Sequence, residues 1–199
     1  MTYILEETLL GFPLSFKTSD ACFSPKRIDT GTRVLISYAP VKPGLKILDL
    51  GCGYGAVGIA CAKAVGQDNV VMLDIDPEAV RLARENAERN EVPKVRILQS
   101  DGFTGLDVTG FDLILSNPPY HCDFSVPKMF IEKGYNRLKI GGRLLMVTKR
   151  REWYKRKLIS VFGGVRLHEA EGYFVFEAEK RLQCYASTNK NIRKRGNDI

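Results

Sequence analysis

Lys46-Ile-Leu-Asp-Leu-Gly-Cys-Gly-Tyr-Gly-Ala-Val-Gly58 runs from a short apolar stretch through a glycine-rich loop and into an Ala-rich segment that stops at Gly66. A short apolar run bounded by turn residues reads as a strand buried on both faces, and Gly51, Gly53 and Gly55 between strand and helix let a ligand approach the backbone closely. Outward from this unit the alternation repeats. Residues 70–74, 95–100, 111–116 and 143–148 read as further buried strands. A helix opens with Asp76 as N-cap and Pro77 at its first position and runs to about Asn90, and another is predicted over about 127–139 with its end marked by Gly141-Gly142. A basic helix follows the last of these strands and closes at Gly163-Gly164. Strands alternating with helices predict an α/β fold with a mostly parallel sheet. Residues 165–169 and 173–180 are separated only by a short Gly-containing turn, which predicts an antiparallel closing pair. Near the N-terminus, Phe12, Leu14 and Phe16 alternate like a half-buried strand, and 30–39 predicts a short helix ending before Pro40.

A chain of 199 residues, 44% hydrophobic and 27% charged, suits one domain with a sizeable core. It holds no apolar stretch near the roughly 20 residues that span a bilayer, and Met1-Thr-Tyr-Ile-Leu-Glu-Glu lacks the features of a signal peptide, so a cytoplasmic protein with no membrane partner is expected. Five scattered cysteines without a C-x-x-C pair predict reduced thiols and no metal site. The net charge of +7 is uneven: 149–157 holds six cations against one acid (Glu152), and 185–199 four against one (Asp198). Such clusters suit a polyanion, most naturally nucleic acid, and equally suit a solvated helix face and a frayed terminus. Trp153 and Tyr154 inside the first cluster can stack on bases. Alternatively, Tyr154, Leu158, Val161 and Phe162 form one buried helical stripe.

The glycine loop alone does not name its ligand. Gly51-x-Gly53-x-x-Ala56 satisfies the looser dinucleotide pattern, and Asp74 ends the next strand where a ribose-binding acid belongs. Asp49 favours one of the candidate ligands, because a carboxylate just before the loop repels a pyrophosphate and suits the ammonium and sulfonium charges of S-adenosylmethionine. The second informative motif is Asn117-Pro118-Pro119-Tyr120 at the end of the 111–116 strand. Two prolines stiffen the backbone, so that the Asn117 side-chain oxygen and the Pro118 carbonyl can accept hydrogen bonds from one planar amino group while Tyr120 stacks on its ring. Accepting those hydrogens stabilises the positive charge that develops when the nitrogen attacks a methyl group. His121 and Cys122 are assigned no catalysis, Cys52 reads as a small loop residue, His168 as a terminal-strand residue, Asp112 as a structural hydrogen-bonding group and Asp76 as a cap.

Asp49-Leu-Gly-Cys-Gly-Tyr-Gly, Asp74 in Leu-Asp-Ile-Asp-Pro, and Ser100-Asp101-Gly102 together resemble the class I S-adenosylmethionine-dependent methyltransferases over roughly residues 46 to 180. The resemblance implies a Rossmann-like seven-stranded sheet, mostly parallel with an antiparallel closing strand. It places Gly51 and Gly53 beside the methionine part of the cofactor, Asp74 on the ribose, Ile75 against adenine and Asp101 at the adenine amine. Asn-Pro-Pro-Tyr is shared by RNA guanine-N2, adenine-N6 and release-factor glutamine-N5 methyltransferases. Phe23-Ser-Pro-Lys-Arg-Ile-Asp-Thr-Gly-Thr-Arg-Val-Leu-Ile resembles the segment ahead of the core in the small-subunit ribosomal RNA guanine-N2 family, which implies RNA as partner. By that resemblance Thr30 and Gly31 approach the cofactor and Phe23 helps shape the substrate pocket, to which Pro119 of the second motif is also assigned; the cation cluster in 149–157 assigns Lys155 and Arg156 to RNA docking. The division expected is an N-terminal segment (1–45) packed on the core, a methyltransferase core (46–182) and a basic tail (183–199). With only a compact segment ahead of the core, either the basic helix and tail are expected to carry more of the docking or a partner is expected to help. Two rivals from other classes are a nucleotide-dependent oxidoreductase, distinguished by whether NAD or S-adenosylhomocysteine raises the melting temperature, and an RNA-binding module without activity.

Overall fold

In chain order the computed structural model, which describes residues 1–118 and 123–185, begins with β1 (Thr2–Leu9), β2 (Phe12–Ser19) and α1 (Thr30–Tyr38). Then follow β3 (Ile47–Leu50), α2 (Ala56–Val65), β4 (Val70–Asp74), α3 (Pro77–Arg89), β5 (Arg96–Gln99) and β6 (Phe111–Ser116). The chain continues through α4 (Ser125–Arg137), β7 (Leu138–Thr148), α5 (Arg151–Phe162), β8 (Arg166–Ala170) and β9 (Tyr173–Glu179). The last seven strands make one sheet in the order β5-β4-β3-β6-β7-β9-β8. All pairings from β5 to β7 are parallel, and β9 runs antiparallel to both neighbours. This is the mostly parallel α/β sheet with an antiparallel closing pair that the alternation predicts, in the seven-stranded class I methyltransferase arrangement that the motif resemblance implies.

The central strands are apolar on both faces because both faces are covered. Ile47, Met72, Leu113 and Leu145 pack on one side with α1, α2 and α3, while Leu48, Leu73, Ile114 and Leu144 pack on the other with α4 and α5. β3 lies between β4 and β6, so the chain leaves it in opposite directions and opens a crevice at the carboxyl ends of the strands. Register sets the height of the loops there. Asp49 pairs with Leu115, which brings Gly51 and Asn117 to the same level, and the Ser116 hydroxyl donates to the Leu50 carbonyl at 2.8 Å.

Three features differ from the sequence reading. β1 is an additional strand that pairs along its whole length with β2 across a Leu10-Gly11 turn, both residues having positive φ (52° and 83°). α4 starts two residues before Pro127 and ends at Arg137, not Lys139. β7 starts at once, at Leu138, because Phe111 pairs with Leu138 before the register shifts to Leu113 against Arg143. Gly142 makes that irregularity possible, since a Cβ there would lie 2.7 Å from the Phe111 carbonyl oxygen. The glycine pair thus shapes a bulge inside the strand. Asp112 has the structural role expected of it, accepting from the Lys46 backbone N–H at 2.8 Å and pairing with Lys139.

Candidate active site

A cavity of about 460 Å³ opens at the crevice. Its floor is the loop that leaves β3. The Gly51 and Cys52 N–H groups both donate to the Leu73 carbonyl, at 2.8 and 2.9 Å, and Gly51, Gly53 and Gly55 all hold positive φ. Gly55 is the N-cap of α2, and a Cβ on it would lie 2.8 Å from Met72 Cε and 2.9 Å from Ile59 Cδ1, so the loop takes its tight path only without a side chain.

Two acids hold this loop. Asp49, 2% exposed, accepts from the Gly58 N–H at 2.8 Å. Burial pushes its carboxyl from the ordinary 3.8 up to about 7; the Gly58 hydrogen bond opposes this and the nearby Asp74 charge adds to it. Asp74 accepts from Gly53 N–H at 2.7 Å with one oxygen and from Asp76 N–H at 3.0 Å with the other, joining the loop to the turn after β4. Asp76 also accepts from Glu78 N–H at 2.9 Å, the cap of α3. Ile75 lines the cavity with 66% of its surface exposed, an apolar platform at the rim. Asp101 lines it too, its carboxyl held below the usual range first by the Thr104 hydroxyl.

Asn117 and Pro118 stand opposite the loop. The Asn117 amide nitrogen donates to Asp29 Oδ2 at 2.9 Å and to Thr32 Oγ1 at 3.1 Å, which fixes the amide orientation and presents Oδ1 as its acceptor. The same Asp29 Oδ2 takes the Thr32 N–H at 3.1 Å, the N-cap bond of α1. Asp29 and Thr32 are the residues the sequence reading passed over. Thr30 and Gly31, named in their place, sit in the first turn of α1 and do not line the cavity, whereas Asp29 and Thr32 do. The available signal was an Asp immediately ahead of a predicted helix start. Phe23, 57% exposed, also reaches the cavity, and Val126, Met129 and Phe130 of α4 form another wall.

The remaining candidates fall elsewhere. Pro119 and Tyr120, like His121, Cys122 and residues 186–199 of the tail, lie outside the described residues. Lys155 and Arg156 are on α5 away from the cavity. Tyr154, Leu158, Val161 and Phe162 are all buried, so Tyr154 belongs to the core stripe, stacked on Phe176 with ring centres 5.9 Å apart. Burial pushes the Cys52 thiol well up, which suits an unreactive loop residue.

The donor set identifies the kind of ligand that fits. Asp29, Asp49, Asp74, Asp76 and Asp101 line the cavity, and among the described residues no Lys, Arg or His does. A dinucleotide pyrophosphate would meet uncompensated negative charge here, while a cationic ligand with a ribose and an adenine finds carboxylates, backbone and an apolar rim.

Comparison with known proteins agrees. The chain is 34% identical over 172 residues to the uncharacterized protein YbxB of Bacillus subtilis, covering 83% of this chain and 86% of that protein. It is 34% identical over 160 residues to the ribosomal RNA large subunit methyltransferase G of Streptomyces avermitilis, covering 77% of this chain and 42% of that one. Among solved structures, the 16S rRNA N2 methyltransferase of T. thermophilus, in complex with AdoMet and guanosine, superposes with a TM-score of 0.81 at 27% identity, covering 91% of this chain and 51% of that one. The chain thus spans about half the length of these two RNA methyltransferases and most of YbxB. The methyltransferase small domain profile matches residues 13–177, and the chain belongs to that family.

Proposed function

We propose that this protein transfers the methyl group of S-adenosylmethionine to the exocyclic N2 of guanine in ribosomal RNA, acting in the cytoplasm on rRNA or a ribosomal subunit. The observation that carries this reading is the fixed Asn117 amide facing a cavity with five carboxylates and, among the described residues, no cationic side chain. When bound, S-adenosylmethionine supplies a methyl group already activated by its sulfonium charge. Gly51, Gly53 and Asp49 hold the end that bears the positive charges, Asp74 the ribose, Ile75 the adenine face and Asp101 the adenine amine. Asn117 Oδ1 and the Pro118 carbonyl accept the two hydrogens of the guanine amine. They turn its lone pair toward the methyl group and meet the positive charge that builds on nitrogen. Most of the acceleration is positioning, which explains why the Asn117 amide is locked from behind by two partners. Once methylated, the nitrogen is strongly acidic and its proton passes to water.

The reading is tested by transfer of labelled methyl to unmodified rRNA, partly assembled subunits, DNA and release factor in parallel, with Asn117→Ala as control. Label in RNA that the variant loses, recovered as N2-methylguanosine on nucleoside analysis, is the expected result. N6-methyladenosine in RNA or DNA moves the acceptor to adenine, and label only in release factor moves it to a glutamine amide. Either outcome overturns the guanine assignment.

A further inference from the structure

We infer that Phe124, Trp153 and Arg150 form a stacking platform beside the cavity mouth for an unpaired nucleotide that neighbours the methylated base. This rests on the RNA reading above. The Phe124 and Trp153 rings lie 4.4 Å apart at 17°, and the Arg150 guanidinium stands 5.1 Å from the centre of the Phe124 ring. Held against a Phe124 ring that Trp153 backs, the exposed Arg150 guanidinium matches what single-stranded RNA offers, a base face that stacks on a guanidinium plane next to a phosphate. Phe124 retains 36% exposure and Arg150 is exposed, while Trp153 is half-buried and packed against the core, so Phe124 and the guanidinium are the parts of the group that face solvent. Among the described residues Arg150 makes no ion pair, which leaves its charge for a phosphate oxygen.

Position specifies the role. Arg150 follows β7 by two residues, and β7 lies beside β6, whose end carries Asn117. Phe124 is the N-cap of α4, whose Val126, Met129 and Phe130 line the cavity. The platform therefore stands at the same edge of the sheet as the site. None of its three residues lines the cavity itself. It serves a nucleotide next to the target, not the target base. A base within a duplex is stacked on its neighbours and has no free face to offer, so the occupant is unpaired RNA.

Trp153 is the single tryptophan of the chain, so its fluorescence reports on the platform. The experiment titrates the full chain with a short single-stranded oligouridine and with duplex RNA of equal length, reading Trp153 emission and affinity at several salt concentrations. It is repeated for Phe124→Ala and for Phe124→Leu, which keeps apolar bulk without a π face. Saturable emission changes with oligouridine, and a loss of affinity between about 5- and 100-fold in both variants at an unchanged salt slope, are expected. An undiminished melting-temperature rise with S-adenosylhomocysteine confirms that the variants are folded. Equal emission change with duplex RNA, or wild-type affinity in both variants while wild type still methylates rRNA, overturns the platform and leaves the proposed function standing. Silent emission with every RNA in a wild type that still methylates rRNA does the same. If wild type neither binds nor methylates RNA, the proposed function fails and the platform falls with it.

Discussion

Asp29 carries two duties with one oxygen: Oδ2 caps α1 through Thr32 N–H and holds the Asn117 amide. Asp29→Ala removes both. Loss of the cap costs about 1 kcal/mol, which lowers the melting temperature by roughly 2–4 °C, and release of Asn117 lowers kcat on the order of 100-fold with KM for S-adenosylmethionine little changed. Asp29→Asn keeps an acceptor oxygen and an equally good cap, so it restores the melting temperature and much of the turnover. If both variants turn over like wild type, Asp29 has no positioning role. Asp49 makes a second prediction, through pH. Between its ordinary 3.8 and about 7 the folded state keeps a proton that the unfolded chain has released, so this group's contribution to stability falls as pH rises through that window. A bound cation favours the ionised carboxylate and reverses the preference. S-adenosylmethionine should therefore bind up to about tenfold more tightly at pH 8 than at pH 6 by calorimetry. Asp49→Asn flattens that dependence, which separates it from titration of the ligand, and raises the ligand-free melting temperature at pH 8; parallel pH profiles would refute the assignment. Asp49, Asp74 and Asp101 are legible in the sequence because each sits beside the glycine loop or at a strand end, whereas Asp29 stands ahead of a short helix with no such neighbour. The Asp29–Asn117 contact is not legible, since it joins residues 88 positions apart through a fold that local patterns do not specify.

At the scale of elements, two asparagine side chains add backbone-directed hydrogen bonds to the packing of the buried Leu9, Leu14 and Phe16 in tying the N-terminal hairpin to the core. Asn86 of α3 and Asn90, the C-cap of that helix, face β2 and treat its backbone as a neighbouring strand would. Asn86 accepts from Lys17 N–H at 2.7 Å and donates to the Lys17 carbonyl at 2.9 Å, and Asn90 does the same for Ser15 at 3.0 and 2.8 Å. An otherwise open strand edge is thereby satisfied. Asn86 also donates to the Tyr54 carbonyl in the glycine loop at 2.9 Å, so the hairpin and the cofactor loop share an anchor. Asn86→Ala should cost roughly 2–3 kcal/mol, speed hydrogen exchange at the Lys17 amide while Ser15 stays protected, and weaken S-adenosylhomocysteine binding. Unchanged exchange at Lys17 would show that the hairpin holds without it. The central strands and their helices are legible because burial on two faces leaves apolar runs of the right length. β1 is not: before the buried Leu9 its positions alternate between exposed and half-buried, with Ile4 51% exposed and Glu7 on the half-buried side, so its residues carry little hydrophobic alternation. The Leu10-Gly11 turn likewise lacks the Asn-Gly or Asp-Gly signature of a tight hairpin.

Across the whole molecule, opposite charges are kept apart in a way that suits two different ligands. The cavity is lined by acids in a chain whose net charge is +7, and six cations lie in residues 149–157, starting at the edge of the sheet where Asn117 stands. Under the proposed function, an RNA backbone would be drawn to the basic surface and repelled from the acid-lined cavity, so that the base alone would enter. The burial pattern of α5 supports this division: Tyr154, Leu158, Val161 and Phe162 face the core, Lys157 is paired with Glu132, and Arg156 is exposed with its Nε 3.4 Å from the Glu152 carbonyl. Among the described residues, Lys155 and Arg156 make no ion pair, which leaves both cations for phosphate. Each phosphate contact contributes about 0.9 to the slope of log affinity against log salt for duplex nucleic acid. The double variant Lys155→Ala, Arg156→Ala should therefore bind a structured rRNA fragment more weakly at low salt, with a slope shallower by about 2 in anisotropy titrations. Its melting temperature should stay near that of wild type, because neither side chain contributes to the core stripe. Since these residues lie outside the cavity, S-adenosylhomocysteine affinity should not move either. A weaker RNA affinity with an unchanged slope would mean that the loss came from altered packing of α5, and the basic face of that helix would then be removed from the docking surface.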